Sequence, residues 1–152
     1  MNGNNTSFTG VGHTNQITDM CVMGSKLLTA SMDGTVRITE LSTQEYGPQI
    51  NLEEPVTSID YAKNGSFFVA VTAKNINVIA GAGAPAVTPA AWSPNAVAVS
   101  VDGKIVAVGG KDDKKIHLFS VNGVALTEIG VFSYFFSKTS FTLFYLIIFL
   151  PQ

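Results

Sequence analysis

One cysteine, one tryptophan and two histidines are all that this 152-residue chain holds of those three residue types. A single cysteine, Cys21, excludes an intramolecular disulfide framework and fits a reducing compartment. Set among alternating apolar residues, it reads as a small buried hydrophobe. No pair of His or Cys has metal-ligand spacing, so neither a zinc site nor any other cofactor is expected. Charge is scarce too: Asp, Glu, Lys and Arg make up 13% of the chain, about half the roughly 25% usual in soluble domains. The net charge of −2 supplies no basic patch for nucleic acid. The opening stretch "MNGNNTSFTGVG" is polar and glycine-rich, unlike a secretory leader. The sequons at Asn5 and Asn64 therefore read as turn chemistry. Helical periodicity is missing throughout.

What the chain does have is repetition. "ITDMCVMGSKLLTASMDGTVRIT", "VTSIDYAKNGSFFVAVTAKNINVI" and "NAVAVSVDGKIVAVGGKDDKKIHLF" superpose, with Val36 and Ile38 falling on Ile76 and Val78, and these on Ile116 and Leu118. The spacing is about 40 residues, the period of a four-stranded propeller blade. Each unit reads strand, turn, strand, turn, strand. The first predicts strands over 17–22, 27–31 and 35–39, the second over 56–61, 67–72 and 75–79, the third over 96–101, 105–109 and 115–120. Fourth strands are weakly marked, with candidates over 48–52 and 125–129. Asp33-Gly34, Asn64-Gly65 and Asp102-Gly103 suit tight turns because Gly accepts positive φ and the Asp or Asn side chain bonds the local backbone. Runs such as "FFVAV" and "IVAVGG" fit strands buried on both faces, as stacked blades require. The fold class is all-β, a partial propeller of about three four-stranded blades.

Gly12-His13, an alternating strand and "TASMDGTVR" together resemble a WD repeat. In that family a His, a strand Ser or Thr, the turn Asp and a Trp form a hydrogen-bonded network inside a blade. By position the resemblance implies a structural network of His13, Ser31 (or Thr29) and Asp33. The Trp-Asp ending is replaced by Thr39-Glu40, so the network lacks one member. The competing reading, a hydrolytic triad of the same residues, lacks an exposed nucleophile elbow and oxyanion donors; a non-enzymatic protein is expected. His117, alternating along a strand between Lys115 and Phe119, reads as surface or interface packing. "GAGAPAVTPAAW" begins like a phosphate loop, but Pro85 and Pro89 forbid the helix such a loop needs. It reads as a connection between blades, with Trp92 either packed at a blade edge or exposed as an anchor.

"GHTNQITDM", "LLTASMDGTVRITEL" without its Trp, and "VAVGGKDDKKIHLFSVNG" together resemble the actin-interacting protein family, at the start of its second propeller. The resemblance implies a cytoplasmic, cytoskeleton-associated scaffold that binds actin filaments and cofilin and promotes filament disassembly, this chain being an incomplete piece of it. It implies no contact residues. The alternatives are a WD-repeat scaffold of an unrelated complex or a membrane-anchored β-protein. The chain divides into a polar segment over 1–11, an incomplete propeller over 12–130 and an apolar aromatic tail over 131–152. That tail, "VFSYFFSKTSFTLFYLIIFLPQ", admits three readings: a membrane anchor near the roughly 20-residue span length, a further strand, or non-native sequence. Three blades leave two faces uncovered, so the isolated chain is expected to self-associate.

Overall fold

Alternating and continuous apolar runs become strands over the whole of the described chain, residues 7, 9–81 and 83–133 of the computed structural model. The tail beyond residue 133, with its three readings, lies outside the described residues. Among those residues there are twelve strands and no helix, arranged as three four-stranded antiparallel meanders. Blade 1 contains β1 (Ile17–Met23), β2 (Lys26–Ser31), β3 (Thr35–Glu40) and β4 (Gln49–Asn51). Blade 2 contains β5 (Val56–Tyr61), β6 (Phe68–Thr72), β7 (Asn75–Ile79) and β8 (Ala86–Pro89). Blade 3 contains β9 (Pro94–Val99), β10 (Ile105–Gly110), β11 (Lys115–Asn122) and β12 (Ala125–Ser133). The architecture agrees with the three-blade expectation.

Three details differ from it. The segment expected to be a plain connection carries β8, in which Ala86 to Pro89 pair with Val78 to Asn75. Pro89 fits there because an outermost strand needs no second row of hydrogen bonds. β9 begins two residues early, at Pro94, and ends at Val99. β12 runs on to Ser133, so residues 131–133, expected in the tail, continue the sheet by pairing with His117, Ile116 and Lys115.

Two apolar layers join the blades. Leu28, Ala30 and Val36 of blade 1 meet Ile59, Phe68 and Ile79 of blade 2. Val69, Val71, Ile76 and Val78 on the opposite face of blade 2 meet Val99, Val106, Val108 and Phe119 of blade 3. Every residue of β6 is buried, which explains its unbroken apolar sequence: period-two alternation disappears when both faces are covered. Burial of these layers, at about 25 cal/mol per Å² of apolar surface, is what holds the meanders together side by side.

The turn after β9 illustrates how blades interlock. Gly103 has φ of +69°, and a Cβ there would press on the Ala62 Cβ of the preceding blade at 3.2 Å. Only glycine satisfies both the left-handed backbone and the close approach. Asp102 prepares that turn: its carboxylate accepts from the Ser100 hydroxyl and the Lys104 amide.

Candidate functional site

His13 arrives on the segment before β1, and Asp33 sits in the turn between β2 and β3. Nδ1 of His13 lies 3.0 Å from Asp33 Oδ2, and Nε2 lies 2.8 Å from Thr29 Oγ1. The Thr35 hydroxyl donates to Asp33 Oδ1 at 2.6 Å, and the amides of Thr14 and Thr35 donate to the same carboxylate. An Nδ1–H imidazole satisfies all of this, with Nε2 accepting from the Thr29 hydroxyl. The His13 side chain is 2% exposed. Burial pushes the Asp33 carboxyl up, but the bonds from the Thr35 hydroxyl, the two amides and His13 outweigh it. They hold the group well below the usual carboxylate range.

Ser31 occupies the same neighbourhood without touching His13. Its Oγ donates to the Asn15 carbonyl at 3.2 Å and accepts from the Asp33 amide at 3.1 Å. Thr29, one pleat away, is the hydroxyl bonded to the imidazole. The two were indistinguishable in sequence because both lie on β2, two residues apart and on one face. Thr39, at the position of the missing Trp, is buried and accepts from the Gly47 amide at 3.2 Å. Ser31 is fully buried and engaged with backbone on both sides, which keeps its hydroxyl from a substrate.

A second polar device runs along the inner strands. Asp19 of β1 accepts from the Ser58 hydroxyl at 2.8 Å and the Ile59 amide at 3.0 Å of β5. One blade later Ser58 accepts from the Val97 amide, and Asp60 from the Val99 amide at 2.7 Å. Burial raises the Asp60 carboxyl, opposed by the Val99 bond. Cys21, half-buried between these acids, has its thiol pushed up to about 12, first by burial and then by Asp60 and Asp19. A protonated thiol is a poor nucleophile and ligand.

A third pattern repeats in every blade and escaped sequence reasoning. Arg37, Asn77 and His117 pair across to Thr29, Ala70 and Val108, the same place in each sheet. They are 7%, 3% and 5% exposed. The signal was present as one polar residue between two apolar ones: Val36-Arg37-Ile38, Ile76-Asn77-Val78 and Ile116-His117-Leu118. Arg37 donates to the carbonyls of Gly47 and Gly12 and to Gln49. Asn77 donates to the Ala70 carbonyl at 3.2 Å. His117, expected to serve surface or interface packing, is buried between Asp113 and Glu128, at 2.7 and 2.6 Å, and stacks on Trp92 at 3.7 Å. Trp92 is accordingly a partly buried packing residue.

Two clefts open between blades. One of about 450 Å³ lies between blades 2 and 3, beside Lys74, Trp92, Ser93 and Asp112. The other, of about 500 Å³, lies between blades 1 and 2 and is walled by Met23, Ile38, Ile50, Phe67 and Ile79. Among the described residues no group of three or more His, Cys, Asp or Glu is disposed to hold a metal ion. No helix among them is long and apolar enough to cross a membrane.

Four-stranded meanders stacked through their faces, with a His–Asp–Thr network inside the first, have the build of WD-repeat blades. Residues 5–40 match the family described as WD domain, G-beta repeat. Within that class the chain resembles the actin-interacting proteins. It is 38% identical over 125 residues to the 66 kDa stress protein of Physarum polycephalum, covering 82% of this chain. It is 35% identical over 131 residues, 84% of this chain, to WD repeat-containing protein 1-B of Xenopus laevis. Actin-interacting protein 1 of Drosophila melanogaster is 27% identical over 127 residues, 82% of this chain. The chain spans about a fifth of these relatives, 21%, 21% and 20% of their respective lengths.

Proposed function

We propose that this chain is a non-enzymatic interaction module acting on actin filaments together with cofilin, where it contributes to filament disassembly in the cytoplasm. The observation that carries the reading is the similarity to Actin-interacting protein 1 and WD repeat-containing protein 1 over more than four fifths of the chain. The polar machinery described above supports it. The His13–Asp33–Thr29 cluster, with Ser31 beside it, ties strand ends together from inside a blade and offers no exposed reactive group. In this reading His13, Ser31 and Asp33 are structural, and partner contact falls to the blade edges and the clefts between blades.

Co-sedimentation with filamentous actin, with and without cofilin, tests the proposal. A full-length relative should raise the unsedimented actin fraction in the presence of cofilin and leave it unchanged without cofilin, and this chain is expected to act only as part of such a whole protein. No effect in either condition, from this chain and from a full-length relative alike, would remove actin and leave a WD-repeat scaffold of a different complex. His13→Ala should lower thermal stability without abolishing any turnover, since none is expected.

A further inference from the structure

His13 and His117 are both buried beside carboxylates, yet their partners differ in a way that dictates different charge. His13 faces one carboxylate and two hydroxyls: Nδ1–H points at Asp33 and the Thr35 oxygen, and the Thr29 hydroxyl can donate to Nε2, so a neutral ring completes its bonds. His117 faces two carboxylates: Nε2 lies 2.7 Å from Asp113 Oδ2 and Nδ1 lies 2.6 Å from Glu128 Oε1. A neutral imidazole has one N–H. Its other nitrogen would then turn a lone pair toward a carboxylate oxygen at bonding distance. With both carboxyls ionised, both contacts are attractive only when each nitrogen carries a proton. The Trp92 ring lies parallel to the imidazole, 10° from coplanar with centroids 3.7 Å apart, an arrangement that favours a cation over an indole face.

We propose that His117 is a protonation-controlled latch. As an imidazolium it fastens three segments of blade 3 to one another: the β10–β11 turn through Asp113, the outermost strand β12 through Glu128, and the incoming connection through Trp92. Loss of one ring proton releases one carboxylate. Glu128 is the one that leaves, because its side chain is 46% exposed against 22% for Asp113, and Asp113 is held further by the Lys115 amide. Glu128 also adjoins the bulge where the β11–β12 register shifts between Leu118 and Phe119, the place where that strand yields most easily.

Besides Asp113 and Glu128, the groups near the ring are Lys115 on β11 and, across the cleft, Asp112, which accepts from Ser93, and Lys74, which pairs with Glu54. Val108, the cross-strand partner of His117, and Val97, paired to Val108 in turn, carry no charge. Burial pushes the Asp113 carboxyl up, but the His117 bond and the Lys115 amide together hold it below its usual range. Its contribution is therefore present above the ordinary carboxylate range and fades only as the pH falls through its lowered folded value. The latch is closed on the acid side of imidazolium deprotonation and opens as the pH rises.

Trp92 is the chain's only tryptophan, so its emission reports on the ring stacked against it. In the full chain, the emission should change in one step as the pH is raised and the ring loses a proton. His117→Gln should abolish that step. Glu128→Gln, which removes one acceptor charge, should move it to lower pH, and His13→Gln should leave it in place. Nitrogen-15 NMR of the unaltered chain at about pH 5 reads the ring directly and does not depend on any variant folding. Two protonated nitrogens on His117 are expected there. One unprotonated nitrogen, or an emission step that survives His117→Gln, overturns the latch.

Discussion

Asp33 concentrates the energetics of blade 1 in one carboxylate with bonds from His13, Thr14 and Thr35. Asp33→Asn keeps the shape but points an amide N–H₂ at donors, leaving buried groups unsatisfied at a cost of about 1–3 kcal/mol. The sign with pH follows from the depressed folded carboxyl. The stabilisation is present above the unfolded value of about 3.9 and is lost as the pH falls through the lower folded value. Thermal melts should therefore place the variant below the parent at pH 7, with the gap narrowing below about pH 4. A gap that widens in acid would contradict the assignment. The sequence pointed to this cluster only through the resemblance to a WD repeat, which Gly12-His13 and Asp33-Gly34 carry. It could not choose between Thr29 and Ser31, since hydroxyls two residues apart on one strand differ only in depth.

The same limit appears among elements. Inner and middle strands were legible because β-branched and apolar residues alternate or run together in "ITDMCV", "FVAVT" and "IVAVGG". Outer strands such as β8 were not, because Ala86 to Pro89 bury only half a face and their sequence resembles a connection. The seams between blades were equally silent: nothing in Asp19 announces that its acceptors' partners lie 40 residues on, at Ser58 and Ile59. That seam is testable. Asp19→Ala strands a buried hydroxyl and a buried amide, an expected loss of about 1–3 kcal/mol in local stability. Hydrogen exchange at the Ile59 amide should accelerate about tenfold or more, at about 1.4 kcal/mol per factor of ten. Exchange at Ala107, inside blade 3, should hardly change. Uniform acceleration throughout would mean that the seam is not a separable unit.

At the scale of the whole molecule, apolar side chains that face no neighbour are concentrated at the two ends of the stack. Met20 and Val22 are exposed on β1, and Ile129, Val131 and Phe132 on β12. Strand edges and apolar faces of this kind pair with further chains. Sedimentation velocity over a range of concentrations should therefore show mass-action self-association of the 152-residue chain. A single monomeric species throughout would refute it. Such association also bears on filament work, because a self-associated chain would bury the blade edges proposed above for partner contact.

Taken alone, the amino-acid order determined that the chain is all-β and that it repeats at about 40 residues. Those properties depend on near neighbours, where periodicity and turn chemistry act directly on the backbone. The tertiary structure decided which hydroxyl reaches His13, that β8 and the end of β12 are strands, and that Arg37, Asn77 and His117 share one buried position. It alone placed His117 between two carboxylates and a tryptophan. Contacts of that kind join residues from different strands and turns, and their geometry exists only once the apolar layers have packed the sheets into register.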